Sequence, residues 1–409
     1  KPNWTNCKQA SMPTKLPTKI QIAHRLRPLQ RNVFADMDEA KAAARAEGQT
    51  IIDLSLGASD LPVAKPILDA IADSLYDPDT HGYSLFQSTQ PFRIAVAQWY
   101  SRKYGIAVDP ETEVLTLIGS QEGTAHLPLA ILNPGDVALL MDPGYPSHAG
   151  GVHLAGGEIV TLPLRAEHGC LPVFADIPRS VLDRAKMMVL SYPNNPTAAQ
   201  APLAFWQTAV EFCQRHSIVL VHDFPYTDVV FDGDHAPSVF QADRDKSIAI
   251  EFYSFSKSFN MGGFRVGYAI GNAELIKALR QVKATVDFNQ YRGILNGAIA
   301  ALNGPQAQVK QTVDAFRQRR DTFVNAMADI GWSVPSPSAT MYIWAKLPES
   351  WADNSMGFAV NLVKQTGVAV SPGIGFGPAG EGYVRFALVH SSADLTTAVQ
   401  RISQFLKAS

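Results

Sequence analysis

Bare apolar runs alternating with helical patterns constrain this chain more than any other feature. The runs fall at 114–118, 137–141, 158–164, 187–191, 218–222, 248–255 and 266–270. Helix patterns lie between several of them, at 120–132, 147–155 and 202–216. Strands that are apolar throughout are buried on both faces, and strands alternating with helices build a mostly parallel sheet covered on each side. Upstream, 34–48, 61–76 and 91–104 read as helices, with a short strand at 50–56 and a loop over 77–92 whose aromatic content argues against disorder. Downstream, a long helical stretch runs from 273 to about 330 with an interruption around 286–293. Shorter strands follow at 331–334, 341–345, 368–370 and 383–387, with a helix at 356–366. The expectation is an α/β chain with a polar N-terminal arm at 1–24, a large domain over 61–300, and a small α+β domain made of 25–60 and 301–409.

In an open parallel sheet, ligands bind beyond the carboxyl ends of the strands. Polar residues collect there. Ser120 and Gln121 follow the first run, at a glycine-bearing turn into a helix, where free backbone N–H groups and the helix dipole suit a phosphate. Tyr145, Asn195, Asp223 with Tyr226, and Ser254 with Lys257 each follow another run. Each alone has a plain structural reading as turn former, packed aromatic or helix cap. Their convergence on one edge favours a site.

The chemistry centres on 252–267. Lys257 sits among hydroxyls, glycines and aromatics, and no other charge separates it from Glu251 on one side or Arg265 on the other. Desolvation lowers an ammonium's pKa, and a neutral amine attacks carbonyls to form a Schiff base. Ser254, Ser256 and Arg265 are an anion cradle, two hydroxyls and a planar cation. An imine-forming lysine beside a phosphate site points to pyridoxal phosphate.

The motifs Tyr-Pro-Asn-Asn-Pro-Thr at 192–197, Asp-Phe-Pro-Tyr at 223–226, Ser-Phe-Ser-Lys-Ser-Phe-Asn-Met-Gly-Gly-Phe-Arg-Val-Gly at 254–267 and Tyr-Val-Arg-Phe-Ala at 383–387 resemble those of the class I/II aminotransferases, pyridoxal-phosphate enzymes of fold type I. The likeness runs from about residue 25 to the C-terminus. Ile-Gly-Ser-Gln-Glu-Gly at 118–123 and Ser-Pro-Gly-Ile-Gly-Phe-Gly at 371–377 are similar to the LL-diaminopimelate aminotransferase-like branch. The resemblance implies a seven-stranded sheet in the large domain, a homodimer with shared active sites, and these roles. Lys257 holds the cofactor and moves protons. Asp223 pairs with the pyridine nitrogen, which keeps the ring an electron sink. Tyr226 and Asn195 bind the ring's phenolic oxygen, and Tyr145 stacks on its face. Ser120, Gln121, Ser254, Ser256 and Arg265 hold the phosphate, joined by Tyr83 from the neighbouring subunit. Arg385 clamps the substrate carboxylate, assisted by Asn195 and the backbone at Gly57. Its flanks Val384 and Phe386 are apolar, so Arg385 points to one face of its strand.

Two departures bear on substrate. Gly-Ala-Ser-Asp at 57–60 replaces a Gly-Asp/Glu-Pro-Asp type of turn, and Arg292 lies in a polar stretch where it could meet a second carboxylate. The implied reaction moves an amino group from an L-amino acid (LL-diaminopimelate or an alanine- or glutamate-type donor) to a 2-oxo acid such as 2-oxoglutarate or pyruvate. A β-lyase acting on C–S bonds would use the same cofactor residues and stays open, and a non-catalytic regulator is disfavoured by the retained Lys257 and Asp223.

Composition excludes other classes. The net charge of −2 gives nucleic acid or an anionic membrane nothing to hold. Cys7, Cys170 and Cys213 are odd in number and widely spaced, which suggests neither disulfide framework nor zinc site. No membrane-length apolar run or signal peptide is read, so a cytoplasmic setting is expected.

Overall fold

The computed structural model describes residues 21–29, 33–233 and 235–408. The arm expected at 1–24 lies outside it except for 21–24, as does Cys7.

The seven runs form one seven-stranded sheet. We label its strands β1 (Val114–Leu117), β2 (Val137–Asp142), β3 (Glu158–Pro163), β4 (Ala185–Leu190), β5 (Val219–Asp223), β6 (Ala249–Ser254) and β7 (Gly267–Gly271). Their spatial order is β1-β7-β6-β5-β4-β2-β3. All neighbours are parallel except that β7 runs antiparallel to both β1 and β6. In every strand but the half-exposed edge strand β3, the apolar runs follow from two-sided burial. Along β2, Val137, Leu139 and Met141 face one core, while Ala138 and Leu140 face the other. Residues of helices Gln90–Tyr104, Leu203–His216 and Arg292–Asn303 fill the first core. Helices Ser120–Ile131, Pro146–Ala155 and Ala273–Val286 contribute to the second.

A separate core gathers Phe323 and Met327 of the long helix Ala307–Asp329 with Phe358 and Leu362 of helix Ser355–Thr366. It backs a three-stranded antiparallel sheet, ordered Ser371–Pro372, Tyr383–Ala387, Tyr342–Lys346. Val384 and Phe386 point into this core, so Arg385, between them, points to the opposite face.

Three elements differ from the sequence reading. The strand expected at 50–56 pairs only as Ile52–Asp53, parallel to Val368–Ala369. The last bond to that partner is from the Leu54 N–H to the Ala369 carbonyl at 2.8 Å, after which the Ser55 N–H turns back to the Asp53 carboxylate at 2.9 Å. Residues 331–334 form no ladder, although the Trp332 indole donates to the Lys346 carbonyl at 3.1 Å. The helix Ser392–Ala408 closes the chain beyond the last element read from the sequence. Its residues Leu395, Val399, Ile402 and Phe405 are buried in the same core, which makes it an ordinary amphipathic helix. The loop at 77–92 is ordered by short turns at Pro78–Thr80 and Phe86–Thr89 and by the buried Thr80 hydroxyl, which donates to the Ser74 carbonyl at 2.7 Å.

Candidate active site

A cavity of about 870 Å³ opens at the carboxyl ends of the strands. Lys257, Asp223, Tyr226, Ser120, Gln121, Tyr145, Asn195, Ser254, Ser256, Arg265, Gly57 and Arg385 all line it. Tyr83 does not. It stands on the ordered loop and is 97% exposed. Arg292 is not among the lining residues.

Lys257 lies on a four-residue helix, Phe255–Ser258, just past β6. The Ser254 hydroxyl caps that turn by accepting from the Ser256 N–H at 3.2 Å. The Lys257 ammonium donates to the Gly57 carbonyl. Burial, and then the nearby Arg385 and Arg265 cations, pull its pKa down from 10.5 to about 7.

Asp223 ends β5 and is 5% exposed. Its Oδ2 accepts from His148 Nε2 at 2.9 Å. Its Oδ1 is buried without a hydrogen-bond partner. A buried acceptor of this kind matches a cationic N–H donor. Next to it, the His222 ring lies between Glu251, 2.9 Å from its Nδ1, and the Tyr192 carbonyl, which accepts from Nε2 at 3.0 Å. That second bond fixes the start of the loop carrying Asn195.

The anion cradle is formed by backbone as much as by side chains. Gly119 precedes helix Ser120–Ile131 with φ 77°, and a Cβ there would fall 2.5 Å from the Arg265 guanidinium. Only glycine admits both the left-handed turn and the arginine. The first N–H groups of the helix, the Ser120, Ser254 and Ser256 hydroxyls and Arg265 thus share one end of the cavity.

At the other end, Arg385 Nη1 donates to Asn195 Oδ1 at 2.8 Å, and its Nη2 donates to the Ser55 carbonyl at 2.6 Å and to the Ser371 hydroxyl at 3.1 Å. Its guanidinium lies 4.2 Å from the Tyr342 ring centre and 4.7 Å from that of Phe376. A cation held on two aromatic faces, with fixed donors, is suited to a carboxylate. Pyridoxal phosphate fits this donor set at three points: amine, unpartnered carboxylate and anion cradle.

Sequence reasoning missed His148, Tyr342, Ser55 and Ser371. His148 had a readable signal, since it lies three residues after Tyr145 at a helix start and so shares that residue's side of the helix. Tyr342 had none, because its role depends on strand register. Arg385 pairs with Trp344 and Ala387 with Tyr342, which puts Tyr342 diagonally beside Arg385 on one face.

Comparison with known proteins places this chain in a class. The family described as aminotransferase class I and II matches residues 49–402. The chain belongs to it and is a pyridoxal-phosphate-dependent aminotransferase. Over 386 residues it is 41% identical to an LL-diaminopimelate aminotransferase of Dehalococcoides mccartyi, covering 94% of this chain and 99% of that one. Among solved structures it resembles substrate-bound BacF from Bacillus subtilis, with TM-score 0.90 and 36% identity over 95% of this chain and 98% of that one. It also resembles a probable N-succinyldiaminopimelate aminotransferase from Thermus thermophilus, with TM-score 0.86 and 42% identity over 91% and 99% of the two chains. Among the described residues no helix is long and apolar enough to cross a membrane.

Proposed function

We propose that this chain transfers the amino group of LL-diaminopimelate, or of a closely related L-amino acid, to a 2-oxo acid such as 2-oxoglutarate or pyruvate, in two half-reactions. The observation that carries the reading is the joint placement of Lys257, the unpartnered Oδ1 of Asp223 and the Arg385 clamp in one cavity. The diaminopimelate preference rests on relatives such as the Dehalococcoides enzyme. Bound pyridoxal phosphate supplies a reactive carbonyl and an electron sink. The chain's own residues do the rest. Arg385 and Asn195 would fix the substrate carboxylate. Lys257 would anchor the cofactor through its amine and serve as the proton carrier, base and then acid, for the substrate. Asp223, oriented by His148, would pair with the pyridine nitrogen. Tyr226 and Asn195 would donate to the phenolic oxygen, Tyr145 would cover the ring, and Ser120, Gln121, Ser254, Ser256 and Arg265 would hold the phosphate. A small domain of 25–60 and 301–409 bringing the clamp to a large domain of 61–300 belongs to the same reading.

The deciding experiment is a panel of donors (LL-diaminopimelate, alanine, glutamate, aspartate) with 2-oxoglutarate as acceptor. LL-diaminopimelate is expected to give the highest kcat/KM, and the new amino acid should appear without ammonia. Release of pyruvate and ammonia from a β-substituted amino acid, with no such transfer, would establish the lyase instead.

The reading includes a cytoplasmic homodimer in which Tyr83 reaches the partner's phosphate site. The homodimer is supported by the exposure of Leu75, Tyr76, Tyr83 and Leu85, large apolar side chains concentrated in one short stretch of chain. Sedimentation should give twice the chain mass, and Tyr83→Phe should weaken cofactor binding by roughly tenfold to a hundredfold, the loss of one hydrogen bond to a charged group. A fully active monomer contradicts this part of the proposal.

A further inference from the structure

Tyr342 has a hydroxyl with one hydrogen-bond partner, the Tyr226 hydroxyl at 2.8 Å. Both side chains are buried. Burial raises the pKa of each phenol, most strongly for Tyr226, so both keep their protons at neutral pH. Two neutral hydroxyls in contact can place only one proton in the bond between them. If Tyr342 donates, the Tyr226 proton is left to point into the cavity.

The rest of the Tyr342 side chain is equally committed. Its ring lies 4.2 Å from the Arg385 guanidinium carbon. On the hydroxyl side it meets Gly57 so closely that a Cβ at 57 would fall 1.9 Å from Oη. The charged and titratable groups facing this pair of phenols are Arg385, Tyr145 and Lys257, the last 5.7 Å from the Tyr226 ring centre.

Resting on the aminotransferase reading above, we propose that Tyr342 is a positioning residue for the reaction. Its hydroxyl donates to Tyr226, which makes Tyr226 a stronger donor to the cofactor's phenolic oxygen, and its ring is the platform that aims Arg385 at the substrate carboxylate. The first effect follows from hydrogen-bond cooperativity, since a hydroxyl that accepts a bond donates a stronger one. A stronger donor draws electron density from the phenolic oxygen. That oxygen then holds the neighbouring imine proton less tightly, and the proton leaves at lower pH. The second effect follows from the cation over the aromatic face. One side chain therefore serves both the group that tunes the cofactor and the group that orients the substrate. Gly57 is the position that gives it room.

The test uses the holoenzyme and its Tyr342→Phe and Tyr342→Leu variants. In Tyr342→Phe the pH midpoint of the cofactor's visible absorption change is expected to rise by about half a unit or more, the effect of weakening one hydrogen bond. The KM for the amino donor should stay within about twofold, because the ring remains under Arg385. Tyr342→Leu is expected to show the same rise and a KM about tenfold higher, in the range lost with a desolvated cation–π contact. Gly57→Ala crowds the hydroxyl without removing it and should move the midpoint in the same direction, which keeps the proposal open to test if Tyr342→Phe folds poorly. An unmoved midpoint in both Tyr342→Phe and Gly57→Ala overturns the relay, and equal KM values for the Phe and Leu variants overturn the platform. A wild-type protein that takes up pyridoxal phosphate without a titrating band would instead sink the site assignment on which the proposal rests.

Discussion

Replacing Lys257 with alanine is expected to lower turnover by about 10⁴-fold or more, because the residue serves as both covalent anchor and proton carrier. The wild-type amine is set up for the first of these tasks. Burial, with Arg385 and Arg265 adding to it, lowers its pKa from 10.5 to about 7. The folded value lies below the unfolded one. Between about pH 7 and 10.5 the unfolded chain therefore binds a proton that the folded chain does not, and this group's contribution to stability increases as pH rises through that window. Below about pH 7 the buried ammonium opposes folding in full. The same shift means that cofactor capture by the apo-protein should accelerate with pH and level off above a midpoint near 7, as followed by stopped-flow absorbance. Turnover in Lys257→Ala above about one per cent of wild type, or a capture midpoint left near 10, would contradict the assignment.

Asp223→Ala is expected to lower the rate of the first half-reaction by about 10²- to 10⁴-fold. That range follows from the roughly 3–5 kcal/mol lost when one partner of a buried charge pair is removed, with each 1.36 kcal/mol worth a factor of ten. Asp223 presents one oxygen to His148 at 2.9 Å and keeps the other unpartnered at the end of β5. Alanine would remove the anion that keeps the pyridine nitrogen protonated and would also leave the His148 ring N–H without its acceptor. Single-turnover mixing with amino donor measures the step directly. A loss smaller than tenfold would show that the ring's protonation does not depend on this carboxylate.

The large sheet was legible because two-sided burial writes itself into sequence as apolar runs in its inner strands, and every run became a strand, the half-exposed edge strand Glu158–Pro163 included. The residues at the strand ends were legible for the same reason, since Ser120 lies two residues past a run, Asp223 directly follows one and Ser254 falls in the last two positions of another. Features set by pairing register were not. The strand at 50–56 reads longer than it is because its partner is only the two residues Val368–Ala369, a length that apolar patterning at 50–56 does not encode. The Tyr342–Tyr226 bond joins residues 116 positions apart, and no local pattern marks Tyr342 as different from any strand aromatic. Tyr83 is the opposite case. A family resemblance singles it out, and its side chain is exposed among the described residues.

The Arg385 clamp also bears on how the protein matures. Its guanidinium is held by the Ser55 carbonyl, 330 residues upstream, and Ile52 pairs with Val368 in a parallel ladder. A chain emerging from the ribosome folds from its N-terminal side first. It can assemble the sheet, Asp223, Lys257 and Arg265 while the segment around Ser55 still has no strand to pair with. Recognition of the substrate carboxylate is therefore acquired after the cofactor-facing residues of the sheet, at the cost of closing a loop of 330 residues.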